Sequence, residues 1–211
     1  MPYRKTAVLV GLLFLSSTFA FSVGSSLLEG YFSGTDSGEG GLLAGVLLEG
    51  YTGLAVAGIG VALFPVLKPH GRRLSAGYLT LRCAEGAVLI AVGCYFLVSK
   101  SELTDYDLLV FAFSGAGGLI LSYLLLRSGL VARWLSVLGL VGYAVLLAGV
   151  ASDLLGLVDI NSVAGSAFYV PGGLFEAVLP LLLIFKGFRL IVPTPGTGDR
   201  DERQTPDGAR R

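Results

Sequence analysis

Six long apolar runs, at 6–28, 42–67, 74–98, 108–126, 135–155 and 168–191, constrain this chain more than any other feature. Each is about nineteen to twenty-six residues, the length a helix needs to cross a hydrocarbon core of ~30 Å. No water is present there to satisfy backbone N–H and C=O groups, so runs this long and non-alternating are read as helices. Composition supports a lipid solvent: 54% of residues are hydrophobic and 14% charged, against about a quarter charged in an average soluble domain. Mean hydropathy is +0.77. The expected fold is all-α, a polytopic six-helix transmembrane bundle forming one domain over 1–192. The remainder, 193–211, holds many Pro, Gly, Asp and Arg and almost no large apolar side chains, so a disordered cytoplasmic tail is expected.

The formal net charge is zero, but the charges are segregated. Arg4 and Lys5, then Lys68, Arg72 and Arg73, then Arg127 and Arg133, then Lys186, Arg189 and the tail fall on one side of the expected bundle. Glu29, Asp36, Glu39, Glu102, Asp105, Asp107, Asp153 and Asp159 fall on the other, with Lys100 as its only base. By the positive-inside rule both termini are cytoplasmic and the acidic loops are outside, in a multi-pass protein of the cell (cytoplasmic) membrane. The first run also resembles a secretory signal, with Arg4-Lys5 ahead of it and Thr18-Phe19-Ala20 as a cleavage site. It stays apolar to Leu28, too long for a signal core, and is therefore read as a retained first helix. Cleavage would leave five spans in the same orientation.

Several features carry no chemistry on this reading. Cys83 and Cys94 share one helix face but sit about 16 Å apart along its axis, too far to bridge. A single histidine, His70, lies in the polar turn after the second run, which excludes sites built on several imidazoles. Gly53, Ala57, Gly58 and Gly60, Ser114, Gly115, Gly117 and Gly118, and Gly139, Gly142 and Gly149 are read as a small-residue stripe, close-packing positions between helices. Trp134, Tyr106 and Tyr169 fall at span ends and read as an interfacial aromatic belt. The pentapeptide Leu-Leu-Glu-Gly-Tyr occurs at 27–31 and 47–51, too short a match to claim a structural repeat.

What does carry chemistry is the set of charges inside the spans: Glu49, Arg82, Glu85 and Glu176. A charge at that depth costs at least ~2.5 kcal/mol on insertion scales, so such groups normally turn inward and pair. Arg82 and Glu85, three apart, share a helix face. All four lie within ~15 Å in height at 1.5 Å per residue, so one intramembrane polar cluster is expected. With three acids and one base in a medium of low dielectric constant, the expectation is that Arg82 holds one glutamate as carboxylate and at least one other carries a proton. Pro180 cannot donate to the carbonyl of Glu176, which marks a kink beside that carboxyl, and Pro65 does the same to Val61. Tyr51, Tyr78, Tyr95 and Tyr143 are available to supply hydroxyls to the same interior.

These residues also resemble a known family. Leu48-Glu49-Gly50, Val61 to Lys68 around Phe64-Pro65, Gly77-Tyr78 and Arg82-Cys83-Ala84-Glu85-Gly86 are similar to the bacterial multi-pass membrane family known as domain of unknown function 4386. So are Arg4-Lys5-Thr6-Ala7 with Gly11, Leu125-Leu126-Arg127-Ser128, Val131 to Gly142 around Trp134, and Glu176 with Lys186-Gly187-Phe188. The resemblance implies a six-helix integral membrane protein and no catalytic assignment. The chain departs from the pattern at Ala132, where the family commonly has proline.

The reading is an integral membrane protein of unknown biochemical function whose buried Arg/Glu cluster organises the helix bundle. Its alternative is a small proton-coupled permease or channel that uses the intramembrane glutamates. Catalytic residues, metal ligands and cofactors are not expected, since the nucleophile–histidine and multi-histidine arrangements are missing. The lipid bilayer is the expected partner and nucleic acid is not. Homo-oligomerisation and the identity of any small-molecule or ion ligand stay open.

Overall fold

The computed structural model describes residues 2–35, 38–103 and 105–189. Asp36, the last residues of the sixth apolar run and the tail at 193–211 lie outside the described residues. Within them, the helices are α1 (Pro2–Phe32), α2 (Gly38–Leu67), α3 (Arg72–Ser99), α4 (Tyr106–Ser128), α5 (Arg133–Leu154) and α6 (Val170–Phe185). Single 3-10 turns, Lys68–His70 and Gly165–Phe168, lead into α3 and α6. Among the described residues there are no strands, and five helices are long and apolar enough to cross a membrane.

The sixth is not, and this differs from the sequence expectation of a span over 168–191. Helix α6 has 16 residues, about 24 Å of rise. It starts late because the chain before it is wound into the 3-10 turn, with Pro171 in the first turn of the helix. It stops early because Gly187 adopts φ +71 and returns its N–H to the carbonyls of Leu182 and Leu183, a left-handed cap that only glycine accepts without strain. Arg189 N–H then bonds the Leu130 carbonyl at 2.8 Å, turning the chain under α5.

The other ends follow similar local rules. Gly129 takes φ 64 and caps α4 through the Leu125 carbonyl. Ala132 sits at φ −62, ψ 135 before α5, inside the range proline would impose; the turn therefore forms without the family's proline. Both Pro65 and Pro180 lie within continuous helices.

Each helix packs on its neighbours in the chain, and α6 packs on α1, so the six form a ring. Across the ring, among the described residues, only α2 meets α4. One end of the ring carries Arg4, Lys5, Lys68, Arg72, Arg127 and Arg133 and is the basic end; the other carries Glu29, Glu39, Asp107 and Asp159 and is the acidic end. A core including Leu63, Leu67, Leu124, Leu125, Leu135 and Leu183 fills the ring toward the basic end. A smaller cluster, Leu28, Leu42, Val46, Val92 and Phe96, packs α1, α2 and α3 together at the acidic end.

Small residues set the helix spacing. At the α2–α3 crossing a Cβ on Gly53 would lie 2.7 Å from the Gly86 carbonyl oxygen, and at the α5–α6 crossing one on Gly142 would lie 2.6 Å from the Gly172 nitrogen. Only glycine permits such approach. Large apolar side chains such as Phe19, Leu47, Leu54, Val61, Val98 and Phe185 point outward and are exposed, as expected where the surrounding solvent is hydrocarbon. Cys83 and Cys94 are free and also on the outer surface.

Candidate functional site

Helix α3 presents Tyr78, Arg82 and Glu85 on one face, at spacings of four and three residues. Arg82 is 2% exposed and Glu85 4%. The guanidinium donates to Glu85 Oε2 at 2.8 Å, to the Tyr78 hydroxyl at 3.3 Å and to Ser114 Oγ of α4 at 3.5 Å. It also lies 5.9 Å from the Phe14 ring centroid on α1 and 5.5 Å from that of Tyr78, within range for a cation–π contact. Gly60 of α2 gives it room: a Cβ there would lie 3.1 Å from the Arg82 Cβ. One side chain thus joins α1, α3 and α4. Its Nη2 is buried without a hydrogen-bond partner among the described residues.

Glu176, on α6, is half-buried and accepts a 2.8 Å hydrogen bond at Oε1 from the hydroxyl of Tyr143 on α5. The Tyr143 ring is fully buried and stands edge-on to Phe175, centroids 5.6 Å apart. Glu176 lies within electrostatic reach of both Arg82 and Glu85.

Glu49 is elsewhere. It is fully buried on α2, where Oε1 accepts from Tyr106 at 2.9 Å and from Ser25 at 3.3 Å, and Oε2 has no partner among the described residues. Arg82 makes no contact with it. The four intramembrane charges therefore separate into Arg82, Glu85 and Glu176 at the middle of the ring, and Glu49 buried with Ser25 and Tyr106 toward the acidic end. The sequence reading gathered Glu49 with the others. It shares its α2 face with the cavity-lining Thr52, Val56 and Ile59; its depth, level with Tyr106 at the start of α4, separates it from the others.

The first three surround a cavity of about 430 Å³ to which all six helices contribute. Its polar lining includes Thr52, Arg82, Glu85, Ser114, Tyr143 and Glu176; its apolar walls include Phe14, Phe21, Ile59, Leu89, Phe111 and Leu146. That volume and mixture are those of small-molecule sites, ~300–1,000 Å³ with a few placed polar groups. Glu49 does not line it. Below the cavity the leucine core closes the ring toward the basic end.

The connection between α5 and α6 roofs the acidic end. Asp153 accepts from Ile160 N–H at 2.6 Å, Asn161 donates to Asp107 at 2.6 Å, and the Tyr169 hydroxyl donates to the Ile160 carbonyl at 2.7 Å. Burial, and then the neighbouring carboxylates of Asp107, Asp159 and Asp153, push the Tyr169 phenol up to about 12. Lys100 pairs with Glu39 on the exposed rim, and that hydrogen bond and charge hold the ammonium above its ordinary range. Among the described residues no three His, Cys, Asp or Glu side chains converge as a metal site would need.

Sequence reasoning left Ser114, Ser25, Phe14 and Tyr106 out of the polar interior. Ser114 reads as one of a small-residue stripe and Tyr106 as an interface tyrosine, yet both hydroxyls point inward to charged groups. The Tyr78–Arg82 spacing of one helical turn was a usable signal. Nothing in the linear sequence links Tyr106 to Glu49 or Tyr143 to Glu176.

The sequence pattern of a family described as Domain of unknown function (DUF4386) matches the chain over residues 6–107 and 101–187. No curated protein and no solved structure matches it.

Proposed function

The chain belongs to the DUF4386 family, and from that premise we propose that it is a small permease that takes an organic ligand into the central cavity and couples it to a proton at Glu176. Residues divide the work. The Arg82–Glu85 pair is the fixed element, bonded internally and to Tyr78 and Ser114, and it organises the bundle. Glu176 is the changeable one: Tyr143 occupies one oxygen, and its other oxygen has no hydrogen bond among the described residues. Intramembrane carboxyls of this kind mark proton and substrate paths. On the positive-inside rule the basic end is cytoplasmic, so the leucine core closes the cytoplasmic side and the site faces outward in this state.

The observation that carries this reading is the cavity itself, lined by all six helices with Glu176 in its wall. Proteoliposomes loaded with the pH dye pyranine and given an inward gradient of tetraethylammonium test it. Lumen pH should move with the wild-type protein and stay still with Glu176→Gln, while E176Q keeps its size-exclusion profile and helical circular dichroism. A wild-type lumen as still as that of empty liposomes overturns the proposal.

A second reading, in which the polar groups only hold the helices together, draws on the burial of the Arg82–Glu85 pair. It requires Glu176→Gln to lower the unfolding temperature as much as Glu85→Gln. The permease reading requires E85Q alone to do so.

A further inference from the structure

The cavity needs an entrance, and its position follows from how α1 meets α6. Toward the basic end the two helices are in tight contact. A Cβ on Gly11 would lie 2.7 Å from Ile184 Cγ1 and 2.8 Å from the Pro180 carbonyl oxygen, and the Arg4 guanidinium donates to the Ile184 carbonyl at 3.2 Å. Seven residues further along each helix, about 10 Å toward the acidic end, the neighbours are Thr18 and Gly173. A Cβ on Gly173 would meet nothing within 4 Å. Thr18, Ser22 and Gly173 all line the cavity and are also exposed. The seam that is shut at Gly11 is open at Gly173.

The depth of that opening is fixed by the two helices' lengths. Helix α1 continues past Thr18 to Phe32, about 20 Å more, while Gly173 is the fourth residue of α6, about 5 Å from its start, so the opening lies in the acidic-end half of the seam, one helical turn below the connection that precedes α6. The exposed hydroxyls of Thr18 and Ser22 lie at the opening, and around them the outer face is apolar: Phe19 is 70% exposed, and Val170 and Leu174, on either side of Gly173, are 66% and 52% exposed.

We infer that the cavity opens sideways into the acyl chains of the leaflet at the acidic end, between α1 and α6, and admits an amphiphile with a cationic head. The inference rests on the cavity being a ligand site, as proposed above. The head is assigned by charge count: two acids, Glu85 and Glu176, and one base, Arg82, line the space. Glu85 is taken by Arg82, and Glu176, one turn from Gly173, keeps an oxygen for an ammonium. Phe14, Phe21, Ile59 and Phe111 surround the apolar body.

An indole placed at the mouth reports what the mouth faces. Trp134 is the sole native tryptophan, so Trp134→Phe with Gly173→Trp carries one reporter, in a position with open space to receive it. In nanodiscs of lipids brominated on the acyl chain its fluorescence should be largely lost relative to unbrominated lipid, and aqueous iodide should leave it unchanged. Quenching by iodide without quenching by bromine overturns the lateral opening and assigns entry from water. Dodecyltrimethylammonium should restore the brominated-lipid signal, tetramethylammonium should not, and adding Glu176→Gln should remove the restoration. Restoration that survives E176Q overturns the head assignment. The indole at Thr18→Trp, across the seam, must give the same pattern, which guards against a folding defect at 173. A failed lateral opening leaves the pyranine assay positive, so the two proposals fail separately.

Discussion

At the residue scale the decisive economy is that one guanidinium has few ways to be content away from water. Arg82 has five N–H donors, and the structure answers with a carboxylate, two hydroxyls and two aromatic faces from α1, α3 and α4. Removing one partner of a buried pair strands the other. Arg82→Leu is therefore expected to cost about 3–5 kcal/mol, while Arg82→Leu combined with Glu85→Leu should recover most of that loss. Denaturant unfolding in detergent checks both, and equal losses would show the pair is not the organising contact. Here the sequence was legible: an Arg and a Glu three apart in an apolar run have little choice but each other. Glu49 was not legible, because its partners Ser25 and Tyr106 come from α1 and α4, and no spacing rule within α2 reports which residues of other helices meet it at that depth.

At the element scale, the helices were legible from run length, and their crossings only in outline. A glycine stripe announces close packing without saying which helix approaches. In the fold Gly53 meets Gly86 and Gly142 meets Gly172. Gly86→Ala is expected to destabilise by about 1–3 kcal/mol, the usual cost of overpacking, whereas Gly50→Ala, with nothing within 4 Å, should show no loss in thermal unfolding. The length of α6 was misread because apolar residues flank it on both sides, and hydropathy does not register a 3-10 turn or a left-handed glycine. The roof over the acidic end makes a pH prediction. Tyr169 has its phenol pushed up to about 12, so the folded roof holds a proton that the unfolded chain, titrating near 10, gives up. Its contribution is complete below pH 10 and fades as pH rises from about 10 to about 12. Near-ultraviolet phenolate absorbance of the folded protein should contain a component titrating at about 12 that is lost in Tyr169→Phe.

At the scale of the whole molecule, charge segregation predicts the orientation. In a Cys83→Ala, Cys94→Ala background, a cysteine at Lys100→Cys should react with a membrane-impermeant maleimide in intact cells, and one at Lys68→Cys only after permeabilisation. The reverse pattern would invert the protein. The cavity itself lay beyond sequence reasoning, since it exists only because six helices close into a ring with a leucine core filling one half. Five of the six packed pairs in that ring are consecutive along the chain and so are leashed to each other by a turn or loop; the α1–α6 pair alone has no such leash. Prying apart any other pair must stretch a linker, but widening this one merely swings two untied edges, as with a bracelet left unclasped. Breathing of the barrel should therefore concentrate there, and spin labels on α1 and α6 should report broader distance distributions than labels on α2 and α3.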